Sequence, residues 1–253
     1  MNIAIFGCGY VGGTVADWLE SHHHTVFRID PKLHPNTDEA QALMECSHII
    51  IAVPTPQADN GECDDSEVVS ILRKLDYRHK VLLKSTVTPD LIGTYPPQVC
   101  VNPEFLRALH AKQDFEDSEV FVIGHHQYEE KQADDWAEIF SSLGCPVTKC
   151  SRETASLIKY VHNSWLATKV AFFHEIFKQT RTSANVDYND LTIALARMKN
   201  IGPSHMVAPN NEGGLGYTGH CFPKDIEALT NFFNHSILEQ VKTTNKQLNE
   251  DKV

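Results

Sequence analysis

Met1-Asn-Ile-Ala-Ile-Phe-Gly-Cys-Gly-Tyr-Val-Gly12 decides the fold of this 253-residue chain. Asn2 to Phe6 is a short, Ile-rich apolar run and reads as a buried strand. Gly7, Gly9 and Gly12 follow in a GxGxxG spacing, and Val15, Ala16 and Leu19 then recur at helical spacing. Strand, glycine loop and helix in that order form the context a dinucleotide fingerprint requires. Gly7 permits the tight turn, Gly9 lets a pyrophosphate approach the backbone, and Gly12 lets helix and strand pack closely. The helix N-terminus then faces the phosphates. The next strand, Thr25 to Ile29, ends at Asp30, 21 residues after Gly9. A carboxylate there hydrogen-bonds ribose hydroxyls and repels a 2′-phosphate, which favours NAD over NADP.

Working outward, Ser47–Val53 is a further apolar strand closed by Pro54-Thr-Pro56, followed by an acidic loop from Gln57 to Ser66 and a helix from about Glu67 to Leu75. Strands at Val81–Leu83, Val99–Val101 and Val120–Ile123 and a helix from Glu129 to Leu143 complete a βα alternation. That pattern implies an α/β fold with a Rossmann-type, doubly wound, largely parallel sheet. Thr55, Thr86 and Glu104 each lie just past a strand end, where such sheets bind ligands. Any one of them alone reads better as a turn or capping residue. After Ser151 the pattern becomes helical throughout. A run from about Glu153 to Thr180 holds no Gly or Pro, and helices follow at Tyr188–Met198, Pro223–Asn234 and from Ile237 onward. The expected division is a dinucleotide-binding domain over 1–150 and a helical domain over 151–253.

Bulk properties exclude several classes. Hydrophobic residues make up 42%, and the net charge is −11, the wrong sign for non-specific nucleic-acid binding. Nothing reaches the length of a membrane span, and there is no leader-like start. The seven scattered cysteines fit free thiols in a reducing cytoplasm. His22-His-His24 reads as a solvated turn, and no metal site is expected.

The second informative stretch is Gly216-Tyr-Thr-Gly-His-Cys-Phe-Pro-Lys-Asp225. Pro223 reads as the first residue of a helix, which puts Cys221 just before its N-terminus. The helix dipole and Lys224 would both favour a thiolate there, and a thiolate suits covalent catalysis. Read alone, the stretch fits a free loop cysteine equally well. Lys159 and Asn163 share a face of the long helix, one turn apart among apolar neighbours, where a buried lysine is costly without a role.

GCGYVG at 7–12, VPTP at 53–56, KSTV at 84–87, NPEFLR at 102–107, Lys159 with Asn163, and GYTGHCFPKD at 216–225 resemble the UDP-glucose/GDP-mannose dehydrogenase family in motif and order. The resemblance covers essentially the whole chain. It implies oxidation of the 6-hydroxyl of a nucleotide sugar, UDP-glucose above all, to a carboxylate with two NAD. It makes Cys221 the nucleophile that forms a thiohemiacetal and then a thioester. Glu104 and Thr86 match acid–base and water-handling positions, Lys159 and Asn163 match oxyanion stabilisers, and Asp225 matches a residue that positions water and Lys159. Cofactor contacts are implied at Gly7, Gly9, Tyr10, Val11, Gly12, Asp30, Pro54, Thr55, Thr86 and Lys224. Substrate contacts are implied at Phe105, Leu106, Lys159, Asn163, Tyr217 and Gly219.

Three positions depart from the family pattern: Ala108 replaces an acid, Asn200 replaces an arginine, and His220 precedes the cysteine. The chain is also shorter than the family, ending before the expected second α/β domain. A homo-oligomer, or a partner chain supplying that domain, is therefore expected. Two other readings stand beside this one: a two-electron hydroxyacid dehydrogenase, which would not need Cys221, and an NAD-binding subunit or non-catalytic remnant.

Overall fold

The computed structural model describes residues 1–58, 61–183, 185–210, 213–234 and 236–251. Positions 59–60 of the acidic loop and 211–212 of the irregular stretch before Cys221 lie outside them. The chain forms two compact units, Met1–Lys159 and Tyr160–Val253.

The first unit is built on a sheet of β1 (Asn2–Phe6), β2 (Thr25–Ile29), β3 (His48–Ile51), β4 (Lys80–Leu83), β5 (Val99–Val101), β6 (Phe121–His125) and β7 (Val147–Ser151). Their spatial order is β2-β1-β3-β4-β5-β6-β7. All neighbours run parallel except β5 and β6, which meet antiparallel through Val101 and Gly124. The sheet is thus the doubly wound, mostly parallel one that the βα alternation predicts. The β5–β6 connection contains a 3₁₀ turn at Ala108–His110 and α5 (Ala111–Glu116). The strand order reverses between β1 and β3, and the glycine loop leaves the end of β1 at that switch.

Continuous apolar strands are what a sheet covered on both faces needs. Ile3, Ile5, Ile50, Leu82, Cys100 and Ile123 pack on one face, with Val15 and Leu19 of α1 (Tyr10–Ser21) and Trp136 of α6 (Glu130–Ile139). Ala4, Phe6, Ile49, Ile51, Val81, Leu83 and Val101 pack on the other, with Ala42 of α2 (Glu39–Glu45), Val68 of α3 (Ser66–Leu72) and Ile92 of α4 (Pro89–Thr94). The period of two sorts alternate residues of one strand to opposite faces. Each such side chain contributes on the order of 1.5–3 kcal/mol by leaving water.

α7 (Arg152–Thr180) begins in the first unit and continues through the second, in agreement with the uninterrupted helical run. Its start is anchored by Arg152, which donates to the carbonyls of Tyr95 and Pro96, and by Ser156, which donates to Val87. The second unit adds α8 (Tyr188–Ala196), α9 (Cys221–Phe233) and α10 (Ser236–Glu250), so the expected helical region follows the sheet. His22 and His23 form the turn that ends α1. Among the described residues no helix is long and apolar enough to cross a membrane, and no cluster of His, Cys, Asp or Glu could hold a metal.

Candidate active site

The glycine loop has the shape its sequence demands. Gly7 has φ +82°, and a Cβ there would lie 2.6 Å from the Ala52 carbonyl oxygen. A Cβ on Gly12 would lie 1.9 Å from the Gly7 carbonyl oxygen, so the first helical turn sits directly on the loop. Gly9, by contrast, meets nothing within 4 Å, and open space lies where a pyrophosphate would approach. Gly9 thus leaves open backbone at the start of a twelve-residue helix with no side-chain cap, an arrangement suited to phosphate. Tyr10 is exposed and Val11 half-buried at the rim.

Asp30 sits at the end of β2, as expected. Its Oδ2 accepts from the Cys8 N–H at 2.9 Å, and its Oδ1 accepts from the N–H groups of Lys32 and Leu33. The Cys8 bond above all holds its carboxyl below the usual carboxylate range. Asp30 therefore ties the second strand to the glycine loop, a structural duty the spacing alone does not reveal.

The ends of β3, β4 and β5 are stitched together. Thr55 donates from Oγ1 to the Thr86 carbonyl at 2.6 Å, and Ser85 donates to the Val53 carbonyl at 2.7 Å beside exposed Pro54. Beyond β5, Glu104 is buried, accepts from the Leu106 N–H at 2.7 Å and pairs with Lys159 at 2.8 Å. Lys159 also donates to the Glu104 main-chain carbonyl at 2.6 Å, and its ammonium lies 5.6 Å from the centre of the Phe105 ring. One ammonium thus holds the whole turn Glu104–Phe105. Removing either partner would strand a buried charge, at about 3–5 kcal/mol. Ala108, at the position of the missing acid, starts the exposed 3₁₀ turn.

Lys84 was not among the expected site residues. It is wholly buried and donates to Asn102 Oδ1 at 2.6 Å, and Asn102 in turn donates to the Val122 carbonyl. Burial pushes its ammonium down to about 8, with Glu104 opposing and Lys159 adding to the shift. The signal was present in Lys84-Ser-Thr-Val87, since a lysine continuing a buried strand has no route to water.

In the second unit α9 starts at Cys221 itself, with exposed His220 before it. Pro223 is therefore the third residue of the helix and not the first. It fits there because the first four N–H groups of a helix have no intrahelical partner. Cys221 is exposed, the only one of the seven free cysteines that is. Lys224 does not stand free beside it. Its Nζ pairs with Asp225 Oδ1 at 2.6 Å and lies 5.9 Å from the centre of the Tyr160 ring. The ammonium expected to support a thiolate is thus paired with a carboxylate, that of the next residue in sequence. Asp225 is buried, and its Oδ2 accepts from Asn163 Nδ2 at 2.6 Å. Cys221 and Asp225 stand one turn apart on α9, so the thiol projects from the same side as the Asn163–Asp225 pair. Tyr217 is buried, and Gly219 adopts φ +84° in open space.

Known proteins supply the context for this arrangement. Residues 30–143 match the UDP-glucose/GDP-mannose dehydrogenase family, NAD binding domain, and residues 153–249 match the central domain of the same family. The chain is 28% identical to the GDP-mannose 6-dehydrogenase of Pseudomonas savastanoi pv. phaseolicola, over 91% of this chain and 63% of that protein. It is 30% identical to a UDP-glucose 6-dehydrogenase of Bacillus subtilis, over 90% of this chain and 61% of that protein. Among solved structures, a UDP-glucose dehydrogenase from the hyperthermophilic archaeon Pyrobaculum islandicum superposes with a TM-score of 0.81 at 25% identity, over 97% of this chain and 68% of that one. The chain thus spans just under two-thirds of the length of these curated relatives. The glycine cradle, the acid at the end of β2 and two consecutive domain matches agree: this NAD-binding chain belongs to the UDP-glucose/GDP-mannose dehydrogenase family.

Proposed function

We propose that the chain is an NAD-dependent nucleotide-sugar 6-dehydrogenase that oxidises UDP-glucose to the uronic acid, with residues 1–150 holding the cofactor and 151–253 contributing the nucleophile. The observation that carries this reading is Cys221: one exposed thiol in the first turn of α9, with the buried Asn163–Asp225 pair one turn below it. A dehydrogenase that stops at the aldehyde has no use for a nucleophile.

Bound NAD would supply the hydride acceptor for each of the two oxidations, and the 6-hydroxyl proton of the first would pass to Glu104 as the acid–base residue. The chain's own residues handle what remains. Cys221 Sγ adds to the aldehyde carbon and forms a C–S bond, and the resulting oxygen takes a proton or hydrogen bonds from Lys159 and Asn163. Loss of the second hydride leaves a thioester. Glu104, with Thr86, accepts the proton of the water that attacks it, the C–S bond breaks, and the thiolate is regenerated. The UDP-glucose and GDP-mannose dehydrogenases among the relatives support the substrate class, and seven free thiols support the cytoplasm. A homo-oligomer or a partner chain belongs to this reading, supported by the exposed Val161, Trp165 and Phe172 of α7.

The test is stoichiometry. The wild-type protein should form about two NADH per UDP-glucose consumed, in keeping with covalent catalysis of sequential oxidations. Cys221→Ala should lose the second oxidation, and Cys221→Ser should stall at an ester, because an alkoxide leaves less readily than a thiolate. An unchanged NADH yield in Cys221→Ala would establish the two-electron reading instead. No NAD reduction with any nucleotide sugar, even beside a candidate partner chain, would establish the binding-subunit reading.

A further inference from the structure

Two buried side chains, far apart in the chain, converge on the backbone of Gly216 and Tyr217. His174 of α7, 2% exposed, accepts from the Gly216 N–H at Nδ1 (2.8 Å), and its Nε2 lies 2.8 Å from the Val207 carbonyl oxygen. A backbone N–H can only donate, so Nδ1 is the bare nitrogen and Nε2 carries the proton. The ring is a neutral bridge of fixed tautomer between residues 207 and 216. Asn245 of α10, 8% exposed, takes the next residue from both sides. Its Oδ1 accepts from the Tyr217 N–H at 2.7 Å, and its Nδ2 donates to the Tyr217 carbonyl at 3.1 Å. One amide thus does for a loop residue what a neighbouring strand does in a sheet.

The fit leaves no slack. Gly216 has φ +82°, and a Cβ there would lie 2.6 Å from Asn245 Oδ1 and 2.9 Å from Asn249 Oδ1. Beyond the clamp the chain reaches Cys221 in four residues. Tyr217 also touches that end directly, since its ring meets Phe222, the neighbour of Cys221, edge to face at 6.3 Å. Two buried polar side chains would be costly as filler. Fully bonded, they select a single loop conformation.

We infer that His174 and Asn245 are positioning residues: by clamping Gly216 and Tyr217 they hold the first turn of α9, and with it Cys221, in one arrangement. The inference rests on Cys221 as the nucleophile of the proposed function, but not on any activity of the chain. When the clamp is cut, the loop and the first turn fray together, and the N–H groups of that turn lose their fixed direction.

The experiment measures the iodoacetamide alkylation rate of Cys221 at pH 7 by peptide mapping. It compares wild type, N245A, N245D, H174A and H174Q, each checked for folding by circular dichroism. N245A and H174A should slow alkylation by about threefold or more, the loss expected of a disordered helix end. N245D keeps the acceptor for the Tyr217 N–H but turns a carboxylate toward its carbonyl, and should fall with N245A. H174Q offers an amide oxygen to Gly216 and should recover most of the rate. Should H174A fail to fold, H174Q and N245A still decide. Equal alkylation rates in folded wild type and N245A would overturn the inference, as would a nitrogen spectrum placing the His174 proton on Nδ1. If UDP-glucose is oxidised, the same variants should lower kcat and leave KM for NAD unchanged. If wild type oxidises nothing, the proposed function fails while the alkylation comparison still judges the clamp.

Discussion

Lys84 is a cation with no path to water. Among the described contacts its ammonium has one hydrogen-bond acceptor, Asn102, and the Phe115 ring at 5.8 Å. Burial pushes its pKa down to about 8 in the folded chain, from an ordinary value of 10.5. The folded state therefore binds fewer protons than the unfolded state between those values, so this residue's contribution to stability rises with pH across that window and is least favourable below pH 8. Lys84→Met removes the term. The wild-type unfolding free energy minus that of Lys84→Met should climb by about 3 kcal/mol at most from pH 7.5 to 10, as read from urea melts. A flat difference would show Lys84 to be hydrated. Asp30 carries a second prediction at this scale. Its carboxylate is fixed by three backbone N–H groups and cannot swing away from a 2′-phosphate. A like-charge contact of that kind costs several kcal/mol, so calorimetry should find NADP binding at least tenfold weaker than NAD, and equal affinities would refute it.

Elements meet where there is no room for a side chain. A Cβ on Gly124 of β6 would lie 2.6 Å from Ala155 Cβ, 2.8 Å from Arg152 Cα and 2.9 Å from the Ser151 carbonyl oxygen. All three belong to the end of β7 or the first turn of α7 and cannot move without moving the element. Gly124→Val should therefore cost about 1–3 kcal/mol, the usual penalty of overpacking. Gly93, inside α4, is the contrast: a Cβ there meets only the Glu153 carboxylate at 3.9 Å. Gly93→Ala should be neutral or stabilising by up to about 1 kcal/mol through helix propensity. Urea midpoints of the two variants check both, and equal destabilisation would refute the packing argument.

At the scale of the whole molecule, the second unit leaves apolar surface uncovered. Val161 is 50% exposed, Trp165 61% and Phe172 59%, and their spacing along α7 places them on one face. Covering such a stripe gains roughly 25 cal/mol per Å² of apolar area. The chain should self-associate through it, and Trp165→Lys with Phe172→Glu should yield monomers with the fold retained. Sedimentation velocity decides: a wild-type monomer at micromolar concentration would remove the oligomer from the proposed function.

Much of the fold is written locally: the buried strands, the glycine cradle, Asp30, the long α7 and a helix in the Cys221 region all follow from runs and spacings within a few residues. A strand buried on both faces must be continuously apolar, and a phosphate-binding turn must be glycine, so each leaves its mark where it stands. Shorter elements left none. α2, α4 and α5 span six or seven residues, too few for a helical period to declare itself, and β7 is Val147-Thr-Lys-Cys-Ser151, largely exposed and polar. Only the tertiary structure decided the pairings: Lys84 with Asn102, Lys159 with Glu104, Asn163 with Asp225, and His174 and Asn245 with the loop at Gly216–Tyr217. Their partners lie 18 to 62 residues apart. Residue type states that a buried lysine or amide needs a partner, but which partner it finds depends on how strands and helices bring distant backbone together, and that is settled by packing the whole chain at once.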